Sequence, residues 1–306
     1  MSLHIFANIA TPYGTAANNR AETEGNITTL QKIIWQGSPH TTVSAEAIRF
    51  AIRRLLAKVE PEGTNRRWNE EARCNEWEDH QFKGWASENG TTFIDDDLLG
   101  FMSAEAAKDE NTAGSANVRR AVLEVTRAVS LTPWPGDFTF NAASPGATPS
   151  AQKRGTNPVP YGTEVHATRY QFGVALTPER LRRKDRAAKA IRTLAELRTV
   201  AGNHARFLYD FSPEVIVFRI TEDPAPRLLY CFETPDNGKT LQAPSLVARL
   251  QASDIAPQEI IFGGAACAEQ LAQQLRNCGV ECIFDGVKQA VQEACQRINQ
   301  HLGVKE

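Results

Sequence analysis

Apolar residues alternate with polar ones near the start of the chain and then change to a helical period. Residues 3–12 (LHIFANIATP) have the alternation of a β-strand, and the polar stretch after them predicts a loop. Residues 44–59 predict an amphipathic helix, because Ser44 suits the N-cap and Glu46 in the first turn suits the helix dipole. The apolar stripe of this helix consists of Ile48, Ile52, Leu55, Leu56 and Val59.

Later segments of the chain alternate between strand and helix patterns. The predicted strands are residues 119–132, 164–176, 215–220 and 227–232. A helix is predicted to open at Thr177, with Pro178 at its first position and Glu179 in its first turn. From residue 259 onward the tail alternates strand, helix, strand and helix. This order favours a mixed α/β fold over a helical bundle or a β-sandwich.

Two segments interrupt this pattern. Residues 61–118 are acidic, hold three of the five tryptophans and mix several short periodicities, which indicates an inserted subdomain. Residues 133–162 are rich in proline and glycine and too polar to pack as core. They predict a long projecting loop or hairpin, and loops of this length are usually functional or disordered.

The composition is that of an ordinary globular protein. The 306 residues include 34 Lys plus Arg, 36 Asp plus Glu and 42% hydrophobic residues, enough for a large core. No apolar run approaches the roughly 18 to 20 residues of a membrane span, and the N-terminus lacks a signal-peptide pattern, so we expect a cytoplasmic protein without a membrane partner. The cysteines do not form a secreted disulfide pattern. Cys278 and Cys282 have C-x3-C spacing without a second pair or nearby histidine, so we expect no metal.

The net charge of −2 conceals a segregation of charge along the chain. Residues 179–206 hold nine basic and three acidic residues, whereas residues 59–118 hold five basic and fourteen acidic residues. Residues 1–58 and 119–178 are also basic, and residues 207–306 are acidic. A single fold would therefore present a basic face, suited to a polyanion, and an acidic face. The alternative is that both are ordinary solvated surface.

Enzymatic motifs are scarce in this sequence. It contains no G-x-S-x-G, H-E-x-x-H or G-x-x-x-x-G-K-[ST] motif, and none of its six histidines is at ligand spacing from another. Gly263 and Gly264 lack the third glycine of a dinucleotide-binding fingerprint and indicate a tight turn. The consecutive aspartates at residues 95–97 either hold a hard cation or, as the following LLGFM stretch favours, cap a helix. We therefore expect no catalytic residue and no cofactor.

Side chains suited to RNA recognition recur in the basic segments. Arg49 and Arg53 are four residues apart and share one face of the predicted helix. The helix N-terminus beside Ser44 adds backbone N–H groups suited to phosphate oxygens. The candidate RNA-binding residues are Asn19, Arg20, Lys32, Ser44, Arg49, Arg53, Asn203, His204 and Arg206. Taken singly, each also fits a solvated or capping role.

An ordered set of motifs runs from the first strand to about Ile220. Its members are residues 19–22 (NRAE), 37–39 (GSP), 43–53 (VSAEAIRFAIR), 97–102 (DLLGFM), 119–131 and 201–206 (AGNHAR). In this order they resemble the DevR-type RAMP proteins, the Cas-seven backbone subunits of CRISPR Cascade effector complexes.

The resemblance implies an α/β (α+β) fold with three parts. An RRM-like (ferredoxin-like) palm would comprise residues 1–59 and 119–306, a helical finger insertion residues 60–118 and a thumb hairpin residues 137–162. Copies would stack head to tail along one CRISPR RNA (crRNA), beside other Cascade subunits, and the guide would present its bases to target DNA.

The resemblance also implies roles for particular side chains. Phosphates of the guide would be gripped by the palm residues Arg20, Ser44, Arg49 and Arg53. A base displaced by the thumb would meet Phe138, Phe140, Lys153 and Arg154, by stacking or wedging. The alternative for these four residues is a hairpin core with solvated charges.

Two rival functions differ in class from this non-enzymatic scaffold. Related RAMP proteins are ribonucleases that act on guide or target RNA; here the carboxylate would come from residues 95–97 or from Asp137, without a positioned histidine. The developmental name of the family suggests a DNA-binding autoregulator, but the sequence shows no helix-turn-helix pattern.

Overall fold

The computed structural model describes residues 2–17, 23–86, 90–103, 117–146, 152, 159–200 and 207–304. The strands are β1 (His4–Ala10), β2 (Gly14–Ala17), β3 (Thr23–Glu24), β4 (Ile27–Thr28), β5 (Lys32–Trp35), β6 (Ser38–Val43), β7 (Arg66–Asn69), β8 (Cys74–Trp77), β9 (Phe101–Ser103), β10 (Asn117–Arg119), β11 (Leu123–Val125), β12 (Ala128–Ser130), β13 (Phe138–Ala143), β14 (Val159–Thr168), β15 (Tyr170–Leu176), β16 (Val215–Thr221), β17 (Ile260–Gly264) and β18 (Cys282–Phe284). The helices are α1 (Ala45–Leu56), α2 (Lys83–Ala86), α3 (Ile94–Leu99), α4 (Arg186–Ala195), α5 (Pro244–Gln251), α6 (Glu269–Asn277) and α7 (Val287–Leu302). Short 3-10 helices are Pro178–Arg180, Pro257–Glu259 and Ala266–Ala268.

A nine-stranded sheet organises the molecule, in the order β18-β17-β16-β1-β15-β12-β6-β5, with β11 also paired to β15. Strand β1 lies antiparallel between β15 and β16. Along the chain the central part reads β1, α1, β11 with β12, β15, α4 and β16. This is the β-α-β-β-α-β order of a ferredoxin-like unit. The mixed α/β, RRM-like fold expected from the sequence is confirmed.

The sheet is covered on both faces. One hydrophobic core joins it to helices α1, α4 and α7 through residues such as Ile52, Leu194 and Ile298. The other face packs against the C-terminal segment, including Phe232 and Leu271. Because apolar burial stabilises by about 25 cal/mol per Å², two such cores make the palm a rigid support for whatever its surface binds.

Helix α1 confirms the sequence prediction. The Ser44 hydroxyl accepts a hydrogen bond from the Ala47 N–H at 3.2 Å, as an N-cap does. Ile48, Ile52 and Leu56 are buried in the core, in agreement with the predicted stripe. The helix ends at Leu56, so Val59 lies beyond it. The predicted tail of strand, helix, strand and helix is confirmed as β17, α6, β18 and α7.

Two predicted strands are divided in the structure. Residues 119–132 form parts of three short strands, and residues 164–176 belong to β14 and β15, which lie in different sheets. The division between β14 and β15 falls at Arg169. Its buried guanidinium donates to the carbonyls of Gly238 at 2.6 Å and Thr11 at 3.0 Å and pairs with Glu214. These contacts fix the corner between the two sheets.

The prediction of a strand at residues 227–232 is wrong. The segment is a loop with left-handed backbone at Arg227 and Tyr230, although Leu228 and Phe232 are buried. Strand β16 already pairs with β1 on one side and β17 on the other. The segment therefore has no free edge of β16 to join, and it packs its apolar side chains on the face of the sheet.

The helix predicted to open at Thr177 begins later than expected. A 3-10 helix spans Pro178–Arg180, and α4 begins at Arg186. The backbone N–H groups of Arg182 and Arg183 donate to the Asp97 carboxylate, at 3.0 and 3.1 Å. Because those amides bind a side chain instead of helix carbonyls, the continuous helix is delayed.

The segments predicted to be finger and thumb contain hairpins. Within residues 60–118 the structure describes the β7–β8 hairpin, helices α2 and α3, and the β9 and β10 strands, which pair with each other. Strand β13 pairs antiparallel with β14, which also contacts β2 and β4. The domain boundaries themselves stay predictions. In the described residues no helix is both long and apolar enough to cross a membrane.

Candidate nucleic-acid interface

A groove of about 820 Å³ lies between helix α1, the β7–β8 hairpin, helix α3 and strand β10. We call it the main groove. Its lining residues are Glu46, Arg49, Phe50, Arg53, Arg66, Trp77, Asp95, Asp96, Leu99, Gly100, Phe101, Met102, Val118, Arg119 and Ala121. Arginines come from three separate elements, so residues far apart in the sequence form one cationic surface.

Helix α1 supplies two of the arginines. Because they are one turn apart, Arg49 and Arg53 both line the groove while Ile48 and Ile52 face the core. Arg49 donates to the backbone carbonyl of Leu99, and Arg53 donates from Nε to Oδ2 of Asp95 at 3.2 Å. Both guanidiniums are thus held at the groove wall.

Two further arginines, Arg66 and Arg119, are positioned by tryptophans. The Arg66 guanidinium lies 5.4 Å from the ring centre of Trp77, and that of Arg119 lies 4.3 Å from the ring centre of Trp85. Such cation–π contacts orient a guanidinium and leave its edge donors available. In each arginine the Nε atom is buried and has no hydrogen-bond partner among the described residues. Arg66, Arg119 and Trp77 were not among the residues predicted from the sequence. The one sequence signal for Arg66 and Trp77 is the mixture of arginine and tryptophan in an otherwise acidic insertion, whereas Arg119 begins the predicted strand at residues 119–132.

The electrostatics of the main groove favour an anion. Burial lowers the pKa of Arg49, and the charge of nearby Arg53 lowers it further. The pKa of Arg66 is lowered by the same causes in the same order. Since guanidiniums remain protonated in proteins, the groove holds cations that repel one another and are partly desolvated. A bound phosphate would offset the repulsion and would replace part of the lost hydration with ion pairs.

Two of three consecutive aspartates, Asp95 and Asp96, line the groove. Asp95, Asp96 and Asp97 lie inside the first turn of α3, and Phe93 occupies the N-cap position, so the expectation that they cap this helix is wrong. They are buried instead. Asp95 accepts the N–H groups of Asn65 and Arg66, at 2.8 and 3.2 Å, which attaches the β7–β8 hairpin to α3.

The other two aspartates have different environments. Asp96 accepts from the Asn65 side chain at 2.8 Å, and burial, followed by the charge of Asp95, raises its pKa to about 7. Asp97 instead pairs with Arg119 at 2.6 Å and with Arg186 at 3.1 Å. The negative charge of Asp96 is thus poorly compensated by its surroundings, whereas that of Asp97 is paired with two arginines.

Gly100 closes helix α3 where it approaches strand β10. Its φ of 69° with ψ of 175° is a conformation essentially restricted to glycine. A Cβ atom at this position would lie 2.3 Å from the Arg119 carbonyl oxygen. Glycine therefore permits the close contact that brings Arg119 into the groove wall.

Lys32 does not line the main groove. Its ammonium pairs with Glu164 at 2.5 Å and lies 4.1 Å from the ring centre of Trp134. The predicted thumb residues Phe138 and Phe140 are 54% and 75% exposed, which contradicts the alternative that they form a hairpin core. Candidates outside the described residues are Asn19, Arg20, Lys153, Arg154, Asn203, His204 and Arg206. The proposed RNA contacts of all these residues stay predictions.

Within the described ranges, no group of three or more His, Cys, Asp or Glu side chains is arranged to hold a metal ion. The six cysteines, all within those ranges, are free thiols.

Comparison with known proteins places this geometry in a family. The family model described as "CRISPR-associated negative auto-regulator DevR/Csa2" matches residues 13–198. A Myxococcus xanthus (strain DK1622) protein, "CRISPR-associated protein Cas7/Cst2/DevR", is 56% identical over 299 residues, covering 97% of this chain and 98% of the relative. The chain belongs to the DevR/Csa2 family. The matched region includes helix α1, the insertion and strand β10, and therefore every element of the main groove.

Solved structures share the fold of this family member. A chain of a "CRISPR RNA-guided surveillance complex, pre-nicking" superimposes with a TM-score of 0.57 at 12% identity, covering 97% of this chain and 100% of the other. A chain of a "CRISPR RNA-guided surveillance complex" gives a TM-score of 0.57 at 13% identity, covering 95% and 99%. At such low identity the likeness establishes the fold alone.

Proposed function

We propose that this DevR/Csa2 family member is a cytoplasmic, crRNA-binding backbone subunit of a type I CRISPR Cascade effector complex. Copies assemble head to tail along the guide and, with other Cascade subunits, present it to target DNA in antiviral defence. The observation that carries the proposal is the main groove, where Arg49, Arg53, Arg66 and Arg119 converge from separate elements. The matched family and the relative named as CRISPR-associated support it.

The groove suits a sugar–phosphate backbone more than a particular base sequence. Arginine contacts to phosphates position a nucleic acid without reading its sequence, and they leave base edges free. The guide can then pair with its target, and sequence specificity belongs to the RNA. Phe50 and Trp77 add aromatic surface for stacking, which tolerates every base.

We propose that the subunit has no catalytic role. Of the candidate carboxylates for a ribonuclease, Asp95 and Asp96 line the groove, but they are only 1% and 2% exposed, and Asp95 is bound by Arg53. The groove lining in the described residues includes no histidine to act as a second acid or base. The rival ribonuclease is tested by incubating the protein with labelled repeat RNA and Mg²⁺. Cleavage that is lost in Asp96→Asn would favour the rival.

RNA carried by the purified protein tests the scaffold. We expect protein from cells transcribing a defined repeat–spacer array to copurify with that RNA in assemblies of several copies. The double variant Arg49→Ala/Arg53→Ala should carry less RNA whatever the spacer sequence. For single strands the slope of log affinity against log salt is about 0.7 per phosphate contact, so we expect it to decrease by about 1.4 for each bound copy of this variant.

Arg227→Ala/Arg276→Ala is the matched control. Both arginines are exposed and lie outside the groove, and the charge change is the same. An unchanged salt slope in Arg49→Ala/Arg53→Ala would refute the groove assignment. Tight binding of duplex DNA by RNA-free protein would instead favour the autoregulator.

A further inference from the structure

Of the described residues that line the main groove, Glu46 alone has an exposed carboxylate. Asp95 and Asp96 also belong to the lining, but both are buried and both accept hydrogen bonds from neighbouring side chains. Among the described residues, no hydrogen bond or ion pair engages the Glu46 carboxylate. A groove built only for phosphate would bind more tightly without this negative charge. Glu46 therefore indicates that the ligand also offers a hydrogen-bond donor.

Helix α1 places Glu46 beside two of the groove arginines. The side of the helix that lines the groove consists of Glu46, Arg49, Phe50 and Arg53, at positions i, i+3, i+4 and i+7. The charge of Glu46 opposes the lowering of the Arg49 pKa, so the two charges are close enough to interact. Arg49 nevertheless donates to the carbonyl of Leu99 and not to Glu46. The carboxylate thus stays available to a ligand that the arginines hold.

The helix dipole alone does not explain a carboxylate at this position. An acidic residue anywhere in the first turn of α1 would complement the dipole. Ala45 and Ala47 also lie in this turn, and neither of them lines the groove. An acid at either position would therefore complement the dipole without placing a negative charge beside the bound phosphates.

A sugar–phosphate backbone offers a carboxylate only one kind of hydrogen-bond donor. An ionised carboxylate accepts hydrogen bonds and cannot donate them. The phosphate oxygens and the ring oxygen of the sugar are acceptors too, whereas the ribose 2′-hydroxyl can donate. Base edges carry further donors, but in the proposed function they pair with the target. By elimination, the group that suits Glu46 is the ribose hydroxyl, which DNA lacks.

Phe50 adds an apolar surface beside this carboxylate. It follows Glu46 by four residues, lines the groove and is 37% exposed. Its ring packs edge-on against Trp68 of strand β7, with 6.3 Å between the ring centres, so the β7–β8 hairpin fixes its position. An apolar neighbour lowers the local dielectric, which strengthens a hydrogen bond to the carboxylate.

We propose that Glu46 accepts a hydrogen bond from a ribose 2′-hydroxyl of the bound guide and thereby selects RNA over DNA. The inference rests on the proposed function, in which the arginines of the main groove hold the phosphates. Arg49 and Arg53 bind the phosphate charge, which RNA and DNA share. Glu46 repels the backbone of either strand, and its hydrogen bond offsets this repulsion only in RNA.

The test measures the affinity of RNA-free protein for labelled single strands of one guide sequence, by fluorescence anisotropy. The strands contain uracil and carry ribose, 2′-deoxyribose or 2′-fluororibose throughout. The 2′-fluoro strand keeps the sugar pucker of RNA but has no hydroxyl to donate, so it separates hydrogen bonding from strand conformation. EDTA in the buffer excludes a divalent cation that bridges Glu46 to a phosphate. A second spacer sequence is measured in the same way.

The variants are Glu46→Ala and Glu46→Gln, and the matched control is Glu269→Ala. The glutamine keeps an oxygen acceptor without the negative charge. Glu269 is likewise an exposed glutamate in the first turn of a helix, α6, and it lies outside the main groove. The control therefore removes the same charge and the same interaction with a helix dipole.

We expect the wild type and Glu269→Ala to prefer the ribose strand over the 2′-fluoro strand by about tenfold, because hydrogen bonds to charged groups are the stronger ones. In Glu46→Ala this preference should fall by about fivefold or more, since RNA loses its acceptor while the 2′-fluoro strand loses only a repulsion. Glu46→Gln should show an intermediate preference and bind the 2′-fluoro strand more tightly than the wild type does.

Each contrary result overturns the inference in a distinguishable way. Tight and equal binding of ribose and 2′-fluoro strands by the wild type overturns this inference alone and leaves the proposed function in place. An unchanged preference in Glu46→Ala also overturns it. In that case a uniform gain in affinity assigns Glu46 to charge repulsion alone, and a uniform loss assigns it to the stability of α1. A preference that follows the spacer sequence assigns Glu46 to a base. Wild-type protein that binds none of the strands overturns the proposed function as well.

Discussion

Arg53 on helix α1 donates from Nε to Oδ2 of Asp95 on helix α3, across 3.2 Å. The same carboxylate accepts the backbone N–H groups of Asn65 and Arg66, at the start of the β7–β8 hairpin. One buried side chain therefore connects the palm helix to both elements of the insertion that face it. The width of the main groove depends on this contact, because α1, α3 and the hairpin each form part of its lining.

Removing the Asp95 carboxylate should destabilise the fold. Asp95→Ala leaves the largely buried Arg53 guanidinium and two backbone donors without their acceptor, and breaking a buried pair in this way costs about 3 to 5 kcal/mol. We expect a loss of about 3 kcal/mol, measured by urea unfolding of RNA-free protein. The control is Glu124→Ala, which removes the exposed partner of Arg120 and should change the free energy of unfolding by less than about 0.5 kcal/mol. Equal losses in the two variants would show that Asp95 does not connect these elements.

The raised pKa of Asp96 predicts a dependence of stability on pH. The folded carboxyl titrates near 7, whereas its ordinary value is 3.8. Between these values the folded state binds more protons than the unfolded state, so the contribution of Asp96 to stability falls as the pH rises from about 4 to about 7. Asp96→Asn keeps an oxygen acceptor for Asn65 and removes the charge. At pH 8 this variant should be more stable than the wild type. Its advantage in unfolding free energy should grow by on the order of 1.4 kcal/mol for each pH unit between about 4 and about 7.

The measurement is the difference in unfolding free energy between Asp96→Asn and the wild type at pH 5, 6, 7 and 8. The comparison with the wild type is needed because the protonation of His166 changes the stability with pH in the opposite direction. Burial, with the charge of His40, lowers the pKa of His166 to about 4, so its contribution to stability falls as the pH drops below about 6.5. His166 is present in both proteins, so its contribution cancels in the difference between their unfolding free energies. A pH-independent difference would contradict the assignment to Asp96.

Gly100→Ala should disturb the groove more than an equivalent change elsewhere. A Cβ atom would lie 2.3 Å from the Arg119 carbonyl, so the β10 backbone must move in addition to the strain at Gly100 itself. Gly303→Ala is the control, because Gly303 also follows a helix with positive φ, of 64°, and nothing lies within 4 Å of its Cβ position. We expect Gly303→Ala to cost about 1 kcal/mol, because an L-residue is disfavoured in the left-handed conformation. Gly100→Ala should cost at least about 2 kcal/mol and should reduce RNA content in parallel. Similar losses with full RNA content in both variants would contradict this prediction.

Local sequence patterns predicted one wall of the main groove and missed the other. The cap at Ser44, the apolar stripe and the spacing of Arg49 and Arg53 are properties of a single helix, which its own period determines. The positions of Arg66 and Arg119 depend instead on Asp95 and Asp97, which are distant in the sequence. Similarly, no local signal showed that Lys32 pairs with Glu164, 132 residues away. Tertiary pairing of charges decides which cations remain available to a ligand.

The two exposed phenylalanines of strand β13 should contribute to RNA binding without contributing to stability. Phe138 and Phe140 are two residues apart in a strand and therefore project from the same face. A core pair would lose about 3 to 5 kcal/mol for each phenylalanine truncated to alanine. Because both side chains are largely exposed, we expect Phe138→Ala/Phe140→Ala to change the unfolding free energy by less than about 1 kcal/mol.

If these rings stack on a displaced base, their removal should weaken RNA binding by about 1 to 3 kcal/mol for each base lost, or at least fivefold in affinity. The salt slope should not change, because stacking releases no counterions from phosphates. Ile34→Ala is the matched control, since Ile34 is an equally exposed apolar residue on the edge strand β5. Affinity is measured by fluorescence anisotropy of labelled guide RNA with RNA-free protein. A reduced slope would indicate that the substitution acts through the arginines of the palm, and unchanged affinity would remove the thumb from the RNA interface.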